Sequence, residues 1–183
     1  VKQPATPGPD CVLAAGAGAR LHCFAGFRAA IAYATGGRIP DAPATAAAAA
    51  GDKAFAAKVT AANTAAGNTA ADTAAATTTG TAVTAAATAL LGVEYADANL
   101  RGSSLTLTGA GAGCDNSGDV DYRFASMPSG WNDRITSFTS FSNCVQQLFR
   151  NTNFGGGALT LPIRTLSNVG SAANDQASSL TFN

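Results

Sequence analysis

The sequence predicts a mainly β protein, in which a small disulfide-linked α+β module precedes a duplicated strand-and-turn unit. Three observations lead to this prediction. The composition changes near residue 92, an internal repeat follows that point, and the four cysteines divide evenly between the two ends of the chain. A chain of 183 residues is long enough for one or two small domains with a modest core.

Composition and charge exclude several classes of partner. Eleven basic residues balance eleven acidic ones, so the formal net charge is +0 and no field draws the chain to nucleic acid. No apolar run reaches the roughly 18 residues that a membrane-spanning helix needs.

The Pro-rich start KQPATPGPD is typical of a mature terminus after signal-peptide removal. We therefore expect a secreted, extracellular protein, of an oligomeric state that the sequence does not indicate.

Cysteine spacing predicts two disulfides. None of the four cysteines shows the tight C-x-x-C spacing of a zinc or redox site. Of the three ways to pair them, we prefer Cys11 with Cys23 and Cys114 with Cys144, because each pair then stays within one compositional part of the chain. The alternative is four free thiols in a cytosolic protein.

The first predicted unit, residues 1–41, reads as a hairpin followed by a helix. A Gly-Ala turn separates CVLAA from LHCF, which is typical of a short hairpin. In the next stretch apolar residues recur at helical spacing, and two glycines stand where a left-handed C-cap would end the helix. These residues are Phe27, Ala30, Ile31 and Ala34, followed by Gly36 and Gly37.

The second predicted unit, residues 42–90, is a connecting segment in which 24 Ala and 11 Thr make up most positions. We expect it to be ordered. Two interpretations stay open. One is a pair of alanine-rich helices, with Asp52 near the start of the first and Phe55 and Val59 on one face. The other is that some of these residues are not alanine in the natural protein. An acidic side chain that lacks density for its carboxylate looks like alanine in an electron-density map, and Glu94 is the only glutamate in the chain.

The third predicted unit, residues 91–183, contains an internal repeat. Residues 94–107 (EYADANLRGSSLTL) align without gaps to residues 148–161 (LFRNTNFGGGALTL). A second block, WNDRITSF at 131–138, recurs as ANDQASSL at 173–180. The first copy is longer, and the extra residues lie in a Gly-rich insertion that contains Cys114.

Each copy resembles the βγ-crystallin Greek-key motif, in which an aromatic residue, a second aromatic or apolar residue and a glycine precede an N/D-N/D-x-x-S/T-S loop. The resemblance implies a two-motif Greek-key sandwich, with motifs at 92–143 and 144–183. Leu100 departs from the usual aromatic residue at its position. The residues that carry the motif are Tyr95, Leu100 and Gly102 in the first copy, and Phe149, Phe154 and Gly156 in the second.

The same resemblance implies calcium sites in the two loops, with ligands drawn from both motifs. Amide, carboxylate, carbonyl and hydroxyl oxygens close together suit this hard cation. Ser137 and Ser179 are expected to stabilise the loops instead, and an alternative is that the loops only form turns. The implied ligands are Asn132, Asp133, the Arg134 carbonyl and Thr136, and Asn174, Asp175, the Gln176 carbonyl and Ser178.

A narrower resemblance connects the chain to actinobacterial secreted proteins of the Streptomyces metalloproteinase-inhibitor family, through YRFASMPSGWNDRITSFTSFSNC and HCFAGFRAAIAYATGGRIPDAP. It implies inhibition of an extracellular protease by a rigid, disulfide-braced strand. The candidates are Cys144-Val145-Gln146 and the insertion 109–121. The alternative function is a calcium-binding extracellular structural or interaction protein without inhibitory activity.

An enzyme is not expected. The only histidine, His22, stands beside Cys23, but adjacent residues on a strand point to opposite faces and that cysteine is assigned to a disulfide. The acidic residues Asp115, Asp119 and Asp121 read as a solvated loop. No G-x-S-x-G, H-E-x-x-H or phosphate-loop motif occurs.

Overall fold

The computed structural model describes residues 9–16, 18–75 and 88–183, with the side chains of residues 69–75 left out. The described residues form three α-helices, nine strands and a 3-10 turn. The helices are α1 (Phe27–Ala34), α2 (Ala46–Ala49) and α3 (Lys53–Ala75). The strands are β1 (Asp10–Ala14), β2 (His22–Phe24), β3 (Thr88–Asp97), β4 (Arg101–Ala110), β5 (Tyr122–Phe124), β6 (Ser137–Ser140), β7 (Gln146–Phe149), β8 (Thr165–Leu166) and β9 (Ser179–Phe182), and the 3-10 turn is Thr152–Phe154.

The strands form two sheets, which confirms the predicted mainly β fold. One sheet has the order β2-β1-β4-β3-β6-β8 and the other the order β5-β9-β7. All neighbours are antiparallel except β1 and β4, which pair in parallel. The apolar core between the sheets contains Leu91, Leu105, Phe138, Leu148, Leu180 and Phe182. This packing of one sheet on the other makes the sandwich.

Strand β3 is buried on both faces. Leu91 points into the sandwich core, whereas Leu90, Val93 and Tyr95 belong to a second core formed with the helices. A register shift between Leu90 and Gly92 separates the two sets. Double burial explains why this strand reads as a continuous apolar run rather than as an alternating pattern. The helices therefore cover the face of the larger sheet that is turned away from the smaller one.

The N-terminal hairpin and helix are confirmed. Cys11 pairs with Cys23 across β1 and β2, and the two cysteines are joined by a disulfide. Helix α1 ends before Gly36 and Gly37, whose φ angles of 59° and 81° lie in the left-handed region that glycine adopts without strain. The second predicted disulfide, Cys114 with Cys144, is also present.

Strand β1 extends the sheet of the C-terminal unit. Its whole length runs beside β4, from Asp10 opposite Ser104 to Ala14 opposite Thr108. The predicted boundaries at 41/42 and 90/91 mark changes in composition and stay predictions.

Helix α3 begins where the sequence indicated. Asp52 Oδ1 accepts hydrogen bonds from the backbone N–H of Ala54 (2.8 Å) and of Phe55 (3.1 Å), which caps the helix. Phe55 and Val59 are buried on one face. The predicted helical pair is thus represented by short α2 and long α3, while residues 76–87 lie outside the described part of the chain. No helix in the described part is long and apolar enough to cross a membrane.

The side chain of Asn63 joins helix α3 to the larger sheet. Its Oδ1 accepts from Leu90 N–H at 2.9 Å, and its Nδ2 donates to the Leu90 carbonyl at 2.8 Å and to Ser142 Oγ. The amide thus satisfies backbone groups at the bulge that interrupts β3.

The internal repeat is visible in the backbone. Asn99, Leu100 and Gly102 have φ angles of 62°, 57° and 83°, and their aligned residues Asn153, Phe154 and Gly156 have 53°, 61° and 71°. A non-glycine residue with positive φ is uncommon, so this agreement at three aligned positions is a strong structural match between the copies.

Candidate calcium site

The two Asn-Asp loops have the same local geometry. Asp133 and Asp175 adopt left-handed φ angles of 53° and 54°. In each loop the preceding asparagine donates from Nδ2 to Oδ2 of the aspartate, at 2.7 Å from Asn132 and 2.8 Å from Asn174. These bonds occupy one carboxylate oxygen in each loop and orient the other.

The remaining carboxylate oxygen of each loop meets the hydroxyl of the other loop. Ser178 Oγ lies 3.4 Å from Asp133 Oδ1, and Thr136 Oγ1 lies 3.5 Å from Asp175 Oδ1. Both spacings exceed the 2.7–2.8 Å typical of hydroxyl hydrogen bonds. The aspartates are exposed and the two hydroxyl residues are buried. Four of the eight predicted residues therefore come together as two crossed pairs of oxygen donors, Asp133 with Ser178 and Asp175 with Thr136, each drawn from both copies.

Main-chain hydrogen bonds position the two hydroxyl residues equivalently. Thr136 N–H donates to the Tyr95 carbonyl at 3.0 Å, and Ser178 N–H donates to the Phe149 carbonyl at 3.0 Å. Tyr95 and Phe149 are the aligned aromatic residues of the repeat. Each loop is therefore hydrogen-bonded in the same way to the first strand of its own copy.

The side chains of Arg134 and Gln176 point elsewhere. Arg134 donates to Ser103 Oγ at 3.2 Å and its guanidinium lies 5.4 Å from the Trp131 ring centroid. Gln176 Oε1 accepts from Arg150 at 2.8 Å. Within the described residues the carbonyl oxygens of Arg134 and Gln176 accept no hydrogen bond. The positive charge of Arg134 thus does not pair with either loop aspartate, and both carbonyls are free to bind a cation.

The serines that end the loops have the expected stabilising role. Ser137 Oγ–H donates to the Asp97 carbonyl and Ser179 Oγ–H donates to the Asn151 carbonyl, both at 2.6 Å. Each bond ties a loop to the sharply turned hairpin of the repeat.

The donor set fits calcium better than a softer metal. Among the described residues no group of three or more His, Cys, Asp and Glu side chains could hold a metal ion. Each crossed pair has instead one carboxylate and one neutral hydroxyl, which are hard oxygen donors of the kind calcium accepts.

The Cys144-Val145-Gln146 strand is not presented to solvent. Cys144 and Gln146 are fully buried, and Val145 exchanges two backbone hydrogen bonds of 2.9 Å with Asn183. A protease cleft therefore has no free strand edge to bind there. The Gly-rich insertion 109–121 is mostly exposed but offers no large exposed apolar side chain.

The residues weighed for catalysis do not assemble. Cys23 forms a disulfide, so it offers no thiol to His22. The nearest aromatic neighbour of His22 is Tyr33, with ring centroids 5.0 Å apart. Asp115 accepts from Ser117 N–H within its own turn. Hydrogen bonding to Ser117, through its side chain first and its backbone second, lowers the pKa of the Asp115 carboxyl.

Sequence reasoning missed a buried polar cluster in the sandwich core. Gln146 Nε2 donates to Glu94 Oε2 at 3.0 Å, and Ser140 Oγ–H donates to Gln146 Oε1 at 3.2 Å. Glu94 Oε1 has no partner. Burial raises the pKa of Glu94 to about 8, an effect that the Gln146 hydrogen bond only partly offsets. A lone glutamate in an apolar strand is the signal that could have identified it.

Comparison with known proteins identified similar solved structures only. No family model matches the chain. No curated protein matches either. A βγ-crystallin domain from Clostridium beijerinckii is 24% identical, with a TM-score of 0.37, and covers 50% of this chain and 95% of its own. A βγ-crystallin domain from Flavobacterium johnsoniae is 25% identical over 51% of this chain and 93% of its own, with a TM-score of 0.37. A βγ-crystallin from an archaeon is 21% identical over 50% of this chain and 95% of its own, with a TM-score of 0.36. None of these supports the narrower Streptomyces resemblance, which stays a prediction.

Proposed function

We propose that this chain is a secreted protein whose C-terminal two-motif domain binds two calcium ions that stabilise it outside the cell. The observation that carries the proposal is the reciprocal approach of Asp133 to Ser178 and of Asp175 to Thr136. This approach brings oxygen atoms of both loops within 3.4 and 3.5 Å of each other, as a calcium site shared between the two copies requires. The two disulfides support an oxidising, extracellular setting.

Binding at these sites is expected to be weak. Each crossed pair contains a single carboxylate, and calcium affinity falls with fewer charged ligands. A dissociation constant of about 10⁻⁴ M, typical of extracellular modules, would stabilise the folded state by roughly 2.7 kcal/mol per site at 10 mM calcium. Because the ligands come from both copies, the ions would hold the two motifs together.

Thermal melting with calcium or with chelator tests the proposal. Wild type is expected to melt about 10 °C higher or more in 10 mM calcium than in EDTA. Asp133→Asn and Asp175→Asn should each remove part of this difference, because asparagine tolerates the left-handed backbone but lacks the charge. Asp119→Asn, which changes an exposed carboxylate outside the loops, is the matched control and should respond as wild type does. A wild-type melting temperature that is the same in calcium and in EDTA would refute calcium binding at these loops.

A second candidate function is inhibition of an extracellular protease, as the Streptomyces resemblance implies. The observation that favours it is an exposed apolar residue, Leu161, which lies two residues before Ile163, and Ile163 pairs with Gln146 near the Cys114–Cys144 disulfide. A segment that is already held in place loses less entropy on binding. The test is an inhibition assay against extracellular metallo-, serine and cysteine proteases, and no inhibition at micromolar concentration would exclude this function.

A further inference from the structure

Large apolar side chains are rarely exposed in the described part of this protein, and two of them lie in one short segment. Of the three that are exposed, Leu161 and Ile163 are 81% and 38% accessible, and the third is Tyr33 on helix α1. Leu161 therefore has the least protected large apolar side chain among the described residues. Burial of such a side chain is favourable, so its exposure calls for a physical reason.

The reason lies in a difference between the two copies of the repeat. In the first copy Leu107 pairs with Gly92 and is fully buried. The aligned residues of the second copy are Leu161 and Gln146, but Gln146 pairs with Ile163 instead. Two residues are therefore looped out of the second ladder as a bulge. Bulges of this kind redirect a side chain and recur beside functional sites.

The bulge is held firmly at both ends. On one side Leu159 N–H donates to the Leu148 carbonyl at 2.8 Å, and Gln147 Nε2 donates to the Thr160 carbonyl at 3.0 Å. On the other side Ile163 and Gln146 exchange two backbone hydrogen bonds of 3.0 and 3.1 Å. The apex is thus fixed by its neighbours rather than by contacts of its own.

The main-chain groups at the apex of the bulge, Leu161 and Pro162, have no hydrogen-bond partners among the described residues. Within the described residues Leu161 N–H and C=O form no hydrogen bond, and neither does the Pro162 carbonyl. An apolar side chain flanked by free main-chain donors and acceptors is what a binding cleft for extended peptides recognises, through strand-like hydrogen bonds and a side-chain pocket.

We propose that the segment Thr160–Ile163 is the inhibitory site, and that Leu161 enters the apolar specificity pocket of a secreted endopeptidase. The inference rests on the proposed inhibitory function and names the part of the surface that performs it. The association is non-covalent. The side chain that enters the pocket is that of Leu161, which the bulge places outside the ladder.

Pro162 explains how the segment would survive in an active site. Its nitrogen carries no hydrogen and its ring fixes φ near −65°, so the bond after Leu161 is a poor substrate for a protease that cuts after an apolar residue. Proline in a strand is otherwise found only at edges and bulges, which is where it lies here. The same residue thus shapes the bulge and protects the bond.

The experiment compares inhibition constants of wild type, Leu161→Asp and Tyr33→Asp against subtilisin, chymotrypsin and thermolysin. Tyr33→Asp is the matched control, since it places the same charge at another exposed apolar position. Wild type is expected to inhibit at least one enzyme, Leu161→Asp to weaken that inhibition by about tenfold to a hundredfold, and Tyr33→Asp to leave it unchanged. Leu161→Asp should melt as wild type does because Leu161 is 81% exposed, whereas Tyr33→Asp loses ring contacts with His22 and Phe24 and should melt somewhat lower.

Two results would overturn the inference in different ways. Inhibition by wild type that Leu161→Asp retains would reject this segment and leave the inhibitory function standing. No inhibition of any enzyme would reject both. A second variant, Pro162→Ala, adds an independent readout with subtilisin and chymotrypsin, which cut after apolar residues: mass spectrometry should find it cut after Leu161, whereas wild type stays intact over the same time. An uncut Pro162→Ala would contradict the proposed position of this bond.

Discussion

Glu94 makes the stability of this protein depend on pH, and Glu94→Gln should remove that dependence. The carboxyl group lies between the two sheets, with Gln146 as its one hydrogen-bond partner. Glutamine has nearly the same shape and can keep the accepting oxygen that faces Gln146. The substitution therefore removes the ionisable group with little change in packing.

The direction of the effect follows from proton binding. Burial raises the pKa of Glu94 from 4.5 to about 8 in the folded protein. Between these values the unfolded chain has released the proton and the folded chain still holds it, so the free energy of unfolding falls as pH rises. At about 1.4 kcal/mol per pH unit, the loss between pH 4.5 and pH 8 is at most roughly 5 kcal/mol.

Urea unfolding of wild type and Glu94→Gln at several pH values, with calcium absent, measures this term. Near pH 4.5 the two proteins should have similar free energies of unfolding. At pH 8 the variant should be more stable by several kcal/mol. Asp10 and Asp121, whose carboxyl pKa values are also raised by burial, are present in both proteins and cancel in the difference. A constant difference between wild type and variant across this range would refute the reasoning.

Three further predictions concern stability. Asn63→Ala should lower the free energy of unfolding by about 2–4 kcal/mol, because it removes the side chain that pairs with both main-chain groups of buried Leu90. Thr64→Ala, at the exposed neighbouring position, should lower it by less than about 1 kcal/mol. Urea unfolding of the two variants and wild type measures both values. Replacing Cys114 and Cys144 by alanine opens a 30-residue separation and should cost about 3–4 kcal/mol. Urea unfolding measures this loss, and dithiothreitol should destabilise wild type at least as much because it also reduces Cys11–Cys23. Gly102→Ala should lower the melting temperature, because the φ angle of Gly102 is 83° and the added Cβ would lie 2.6 Å from Asp97 Oδ2. A melting temperature equal to that of wild type would contradict this prediction.

Local features of the fold were predictable because they depend on neighbours in the chain. Asp52 stands just before a helical run and caps it, and Gly36 and Gly37 follow the last turn of helix α1. The repeat was also predictable, since the unusual turn around Asn99 needs the same residue types wherever it occurs.

Long-range pairings were not predictable in the same way. Composition distinguishes residues 1–41 from the rest but does not show that β1 pairs with β4. In the structure Cys11 and Leu13 of β1 join the sandwich core, and Val12 packs against helix α1. The alignment also matched Leu161 with buried Leu107, and only the pairing of Gln146 with Ile163 shows that the second copy loops this leucine out. An alignment describes residue types along the chain and contains no information about ladder partners.

The sequence by itself determined the mainly β class, the duplication, the two disulfides and the residues of the two Asn-Asp loops. Only the tertiary structure decided that Asp133 meets Ser178 while Asp175 meets Thr136, and that Glu94 is enclosed between sheets. The physical reason is that these arrangements join residues far apart in the chain. Their spacing follows from how two sheets and two hairpins pack, which no local pattern specifies.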